Sequence, residues 1–170
     1  MKTFDAFIEI PTGSRNKYEY DFELKRMRFD RLLYSAMSYP AEYGFIPETY
    51  ALDGDPLDVL VLSTEPFYPG VLVEVRAVGV FYMIDGGDND EKIICVPVDD
   101  PRMNDIQHIE HVNTHFKKEV EEFFRTYKNL ENKKVDVNGF GNKDAALKLI
   151  EDCKARYEAL EENKKPMFRL

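Results

Sequence analysis

Three aspartates fall within six residues at Asp53-Gly54-Asp55-Pro56-Leu57-Asp58, and an apolar run, Val59-Leu60-Val61-Leu62, follows at once. Gly and Pro hold such a loop in a tight, irregular path, and the apolar run reads as a strand. Asp58 then stands at the mouth of that strand, where the sheet fixes its backbone. Three carboxylates this close repel one another unless something positive lies between them. The partner that suits carboxylate oxygens is a hard divalent cation such as Mg²⁺. A solvated acidic turn is the plainer alternative. An EF-hand beginning at Asp53 fails, because its sixth and twelfth positions hold Asp58 and Thr64 rather than Gly and Glu. A phosphotransferase Asp-x-Asp nucleophile fits poorly, because the apolar strand follows the aspartates instead of preceding them.

A second acidic loop, Asp85 to Lys92, also lies between apolar strands. By itself it is a hairpin turn; beside the first cluster it reads as the other half of a metal site.

The remaining pattern is mostly strands, then helices. Phe4–Ile10 reads as a strand stopped by Pro11. Residues 17–22 and 26–31 alternate polar and apolar, which predicts a hairpin. From Leu33 to Leu52 periodicity gives way to tyrosines, prolines and glycines, a loop with a short strand. Val71–Met83 reads as a long strand bent at Gly79, and Ile93–Val98 as its hairpin partner. Phe116, Val120, Phe123, Phe124 and Tyr127 follow helical spacing, with Asn113 or Thr114 as the cap. Val135–Gly139 reads as a short strand. Asn142 caps a second helix carrying Ala146, Leu149, Ile150, Cys153, Tyr157 and Leu160 on one face. The expected fold is mainly β with α: a five-stranded, OB-like closed β-barrel flanked by two C-terminal helices. It forms a single domain over residues 1–170, with 163–170 as a frayed tail.

His108, His111 and His115 carry a spacing that would line one helix face and invites zinc, but no cysteine lies near, and surface or interface histidines fit better. Cys95 and Cys153 read as buried thiols. A 44% hydrophobic and 13% aromatic composition marks a globular chain. The net charge of −9 argues against nucleic acid and anionic membranes as partners. The N-terminus shows no apolar signal segment, so the expected location is cytoplasmic.

In this order and spacing the residues resemble the soluble inorganic pyrophosphatases of the first family, in their small bacterial form. The resemblance runs from Ile8 to about Tyr157. Its motifs are Asp53 to Val59, Glu9 in Ile-Glu-Ile-Pro, and Lys17 and Glu19 in Asn-Lys-Tyr-Glu. Arg31 stands in Phe-Asp-Arg, and Tyr39 and Tyr43 in Tyr-Pro-Ala-Glu-Tyr-Gly. Asp85, Asp90 and Lys92 lie in the second acidic loop, with Tyr127-Lys128 at the end of the first helix. The chain departs from the family at Gly86, where an acidic residue often follows the first aspartate of that loop. It also lacks the tryptophan of the last short strand, and Phe140 stands near its place.

The resemblance implies hydrolysis of inorganic pyrophosphate to two orthophosphates, with several Mg²⁺ ions per site and a metal-activated water. It implies that Asp53, Asp58 and Asp90 hold one Mg²⁺, with Asp58 shared by a second. Asp85 and Asp90 take a further ion arriving with substrate, and Glu9 lies at its edge. Asp55 accepts or orients the proton of the water. Lys17, Arg31, Tyr43, Lys92, Tyr127 and Lys128 grip phosphoryl oxygens, and Glu19 and Tyr39 support them. A homohexamer is the assembly it implies. The alternatives from other classes are an OB-like module that binds a phosphorylated ligand without hydrolysis and an acidic Ca²⁺-binding protein.

Overall fold

The computed structural model describes residues 2–166. Five strands close into a ring. β1 (Phe4–Ile10) pairs with β4 (Glu42–Phe45), and β4 with β5 (Asp58–Val61), both antiparallel. β5 runs parallel to β8 (Lys92–Pro97). β8 pairs antiparallel with β6 (Leu72–Asp85), and β6 returns to β1. This is the closed OB-like arrangement the strand pattern predicts. Closure leaves no free edge among these five strands. β2 (Asn16–Asp21) and β3 (Arg26–Leu32) form the expected hairpin as a separate sheet. The short β7 (Asp88–Asn89) and β9 (Val135–Gly141) both extend β6.

β6 bends where expected. Its register against β8 shifts between Ala77 and Gly79. A Cβ at Gly79 would lie 2.8 Å from both the Gly141 carbonyl oxygen and Ile109, so the bend depends on the missing side chain. Gly44 allows a closer approach still, because a Cβ there would sit 1.8 Å from the Phe7 carbonyl oxygen.

The two helices, α1 (Thr114–Thr126) and α2 (Lys143–Ala159), cover different parts of the barrel. α1 buries Val120, Phe123 and Phe124 in a core with Tyr39, Phe81 and Ile94. α2 buries Ala146, Ile150 and Cys153 against Val59, Val80 and Ile93. Asn113 caps α1 by accepting from the amides of His115 and Phe116, and Asn142 caps α2 by accepting from Ala145. Cys95 and Cys153 are buried free thiols. Phe140 packs on Phe81 at 5.0 Å.

His108, His111 and His115 do not share a helix face. Ile109–His111 is a three-residue 3₁₀ turn, and α1 begins only at Thr114. Of the tail expected to fray, Glu162–Lys164 forms another 3₁₀ turn, and 167–170 lie outside the described residues.

Candidate active site

The first acidic loop is held from several directions. Gly54 takes a φ of 95°, a conformation that suits glycine. The Asp55 amide donates to Asp53 Oδ1 at 3.1 Å, and the Ala51 amide to the Asp55 carbonyl at 2.8 Å. The Leu57 amide donates to Thr49 Oγ1 at 2.8 Å, while the Thr49 hydroxyl donates to the Ile46 carbonyl. With Leu57 buried, the loop is pinned at its end and Asp58 enters β5 in fixed register.

The second loop is a two-residue turn. Gly86 and Gly87 have φ values of 61° and 96°, as a type I′ hairpin turn requires. Asp85 and Asp88 consequently stand opposite each other on β6 and β7. Asp90 follows, fixed by its amide to the Met83 carbonyl at 3.0 Å.

Both loops open on one cleft of about 420 Å³. Of the residues expected at the site, Glu9, Lys17, Glu19, Tyr43, Asp53, Asp55, Asp58, Asp85, Asp90, Tyr127 and Lys128 line it. They arrive from β1, β2, β4, both acidic loops and the end of α1. Three expected residues do not line it. Tyr39 is buried, its ring 5.5 Å from Tyr43 and 4.8 Å from Phe123. Lys92 is only 1% exposed, with Nζ 2.7 Å from both Asp58 Oδ2 and Asp90 Oδ1. The parallel register that sets Asp58 opposite Lys92 brings the pair together. Arg31 sits at the end of β3, cross-strand from Lys17, with Nη1 2.6 Å from Asp30 and Nη2 3.2 Å from Glu131.

Charge explains these pairings. Among the described residues eight carboxylates line the cleft with only Lys17 and Lys128 as lining cations. Lys17 meets Glu19 and Asp30, and Lys128 meets Asp85. Burial would lower the Lys17 pKa, but its bonds to Glu19 and Asp30 raise it. Burial likewise favours a neutral Lys92, and Asp58 and Asp90 overcome that and hold it as an ammonium. Burial pushes Asp58 up to about 6, against Lys92 and the Tyr43 hydroxyl that donates to it. Burial also raises Asp53 and Asp55, with neighbouring carboxylates adding to the shift. Glu9 is pushed up to about 8, chiefly by burial, although the Tyr20 amide donates to it at 2.8 Å. Burial keeps the phenols of Tyr39, Tyr43 and Tyr127 neutral.

As the side chains stand, no three His, Cys, Asp or Glu among the described residues converge closely enough to hold an ion. Asp58 and Asp90 are instead drawn onto Lys92, and Asp85 onto Lys128. The donor set still fits a hard cation. It is all oxygen, drawn from two loops facing one cleft, and Asp53, Asp55 and Asp58 of the first loop carry raised pKa values that a cation would lower.

Sequence reasoning missed Asp88, which lines the cleft two positions beyond Gly86. It also missed Asp30 and Glu131, the acidic partners of Arg31. Asp30 could have been found beside Arg31 in Phe-Asp-Arg. Glu131 lies 100 residues from Arg31 and carries no spacing signal.

A sequence profile described as inorganic pyrophosphatase matches residues 6–158. An inorganic pyrophosphatase of Halalkalibacterium halodurans is 51% identical over 157 residues, covering 92% of this chain and 96% of the relative. One from Methanosarcina acetivorans is 54% identical over 159 residues, 94% of each chain. The crystal structure of inorganic pyrophosphatase from Thermus thermophilus superposes with a TM-score of 0.90 at 48% identity, covering 92% of both chains.

Proposed function

The chain belongs to the inorganic pyrophosphatase family, and from that premise we propose that it hydrolyses inorganic pyrophosphate to two orthophosphates in a Mg²⁺-dependent reaction. The observation that carries the reading is the shared cleft, where two acidic loops face Lys17, Lys128, Tyr43 and Tyr127.

The family implies a divalent metal cofactor, and Mg²⁺ suits an all-oxygen donor set. Asp53, Asp58 and Asp90 would hold one ion, with Asp58 shared by a second. Asp85 and Asp90 would hold a further ion, with Glu9 at its edge. Bound Mg²⁺ neutralises the substrate's charge and lowers the pKa of a coordinated water.

The chain's own groups do the rest. Asp55, its pKa raised by burial, takes the proton of the attacking water, since a base works best near the operating pH. Lys17, Arg31, Lys92 and Lys128 grip phosphoryl oxygens and offset charge on the leaving phosphate. Tyr43 and Tyr127, held neutral, donate hydrogen bonds without adding charge. Tyr39 and Glu19 support them, Tyr39 against the Tyr43 ring and Glu19 against the Lys17 ammonium.

A single domain working as a cytoplasmic homohexamer on free pyrophosphate, with no nucleic-acid or membrane partner, completes the reading. The net charge of −9 supports the absence of nucleic-acid and anionic-membrane partners, and among the described residues no helix is long and apolar enough to cross a membrane. Phosphate release from pyrophosphate tests the reaction. Rapid release with Mg²⁺ that stops with EDTA is expected, and tight pyrophosphate binding without release would overturn it. Light scattering tests the assembly.

A further inference from the structure

Arg31 stands on the outer strand of a hairpin that is not part of the closed barrel. Within the hairpin, Asp30 Oδ2 joins its guanidinium to the Lys17 ammonium, 3.0 Å away, but nothing there ties it to Lys128 on the other side of the cleft. Asp30, which binds Nη1 at 2.6 Å, is its neighbour in sequence and moves with the same strand. The second partner is different. Glu131 Oε2 accepts from Nη2 at 3.2 Å, and it comes from the 3₁₀ turn Asn129–Glu131 that follows Lys128.

The Glu131 side chain is covered where its neighbours' are exposed. Its side chain is only 7% exposed, while Leu130 beside it is an exposed residue. A carboxylate covered in a three-residue surface turn is costly unless a cation meets it; Arg31 meets Oε2 at 3.2 Å with a hydrogen bond, and the exposed Lys133 lies farther off, 3.9 Å from Oε1. The turn is itself fixed. Asn132 takes the left-handed conformation with a φ of 56°, and the amides of Glu131 and Lys133 both donate to the Lys128 carbonyl, at 3.0 and 3.3 Å. The same turn therefore carries Lys128 at its start and clamps Arg31 at its end. Meanwhile Arg31 Nε is buried with no hydrogen-bond partner, so a donor remains on a guanidinium already held on both Nη atoms.

We propose that Glu131 is a positioning residue of the pyrophosphatase reaction, setting the Arg31 guanidinium at a fixed distance from the Lys128 ammonium so that both meet one substrate. The inference rests on the phosphoryl-gripping role proposed for these two residues. Glu131 touches no substrate itself and acts through Arg31.

The test is a double-mutant cycle in the full-length protein, measured on Mg²⁺-pyrophosphate. Glu131→Ala should lower kcat/KM about 10- to 100-fold, the loss expected when a charge-assisted hydrogen bond is removed. Glu131→Gln, which keeps the shape and one acceptor, should recover part of it. In an Arg31→Lys background the Glu131 substitutions should cost less than about threefold more, because their target is gone. Losses that multiply independently of Arg31 would overturn the proposal. If Glu131→Ala does not fold, the Gln variant carries the cycle. A second readout needs no activity. The Arg31 Nε–H resonance, assigned by its loss in Arg31→Lys, should shift or broaden in Glu131→Gln. An unchanged resonance would refute the positioning role even if the wild type proved inactive on pyrophosphate, a result that would count against the functional reading instead.

Discussion

Asp58 and Lys92 stand opposite each other in the parallel pair of β5 and β8, with the Lys92 ammonium 2.7 Å from Asp58 Oδ2. The same ammonium reaches Asp90 at 2.7 Å. One buried cation thus answers an aspartate from each acidic loop.

Lys92→Met should therefore destabilise the metal-free protein. Removing one partner of a buried pair leaves uncompensated charge and costs about 3–5 kcal/mol. A divalent cation can take over that charge. Urea unfolding should show the full loss in EDTA and a smaller loss in Mg²⁺. Equal losses in both would mean that Lys92 and the metal do not share these carboxylates.

Glu9 gives a pH dependence with a defined sign. Its pKa rises from the ordinary 4.5 to about 8 in the folded state. Between those values the folded protein keeps a proton that the unfolded chain has lost. Its contribution to stability is whole below about 4.5 and is lost as pH climbs through about 8. Glu9→Gln removes the titration while keeping an acceptor for the Tyr20 amide. In EDTA, the wild type should lose more stability than the variant between pH 6 and pH 9. Parallel losses in the two would place the Glu9 pKa near its free value.

Arg31→Lys keeps the charge and removes the planar fork. Turnover should fall or the Michaelis constant rise, by about 10- to 100-fold together. Calorimetric Mg²⁺ binding to the free enzyme should barely change. Intact turnover with weakened metal binding would place Arg31 outside the substrate's reach.

How much of this was legible in the sequence depends on the range of the interaction. The Asp53–Asp58 loop, the strand after it and the β2–β3 hairpin are local patterns, and each appears where alternation and turn residues place it. The bend at Gly79 was legible too, although its cause, the approach of Gly141 and Ile109, was not. Long-range pairings escaped. The spacing of Asp58 and Lys92 does not reveal that their strands lie parallel in register, so the pairing of Lys92 with Asp58 and Asp90 was not legible beside the substrate role its loop suggests. Glu131 sits in a polar surface turn like any other, and only the fold brings it to Arg31. Asp88 stands in a run of turn residues that gives it no spacing signal of its own, yet the type I′ turn puts it opposite Asp85.

The most direct test of the central claim compares phosphate release from pyrophosphate by the wild type and by Asp58→Asn at the same Mg²⁺ concentration. The substitution keeps size and hydrogen bonding but removes the charge shared between the proposed metal positions. The account predicts Mg²⁺-dependent release by the wild type and a rate lower by about 100-fold or more in the variant, with an unchanged circular dichroism spectrum. Wild-type rates in a folded Asp58→Asn protein would contradict it.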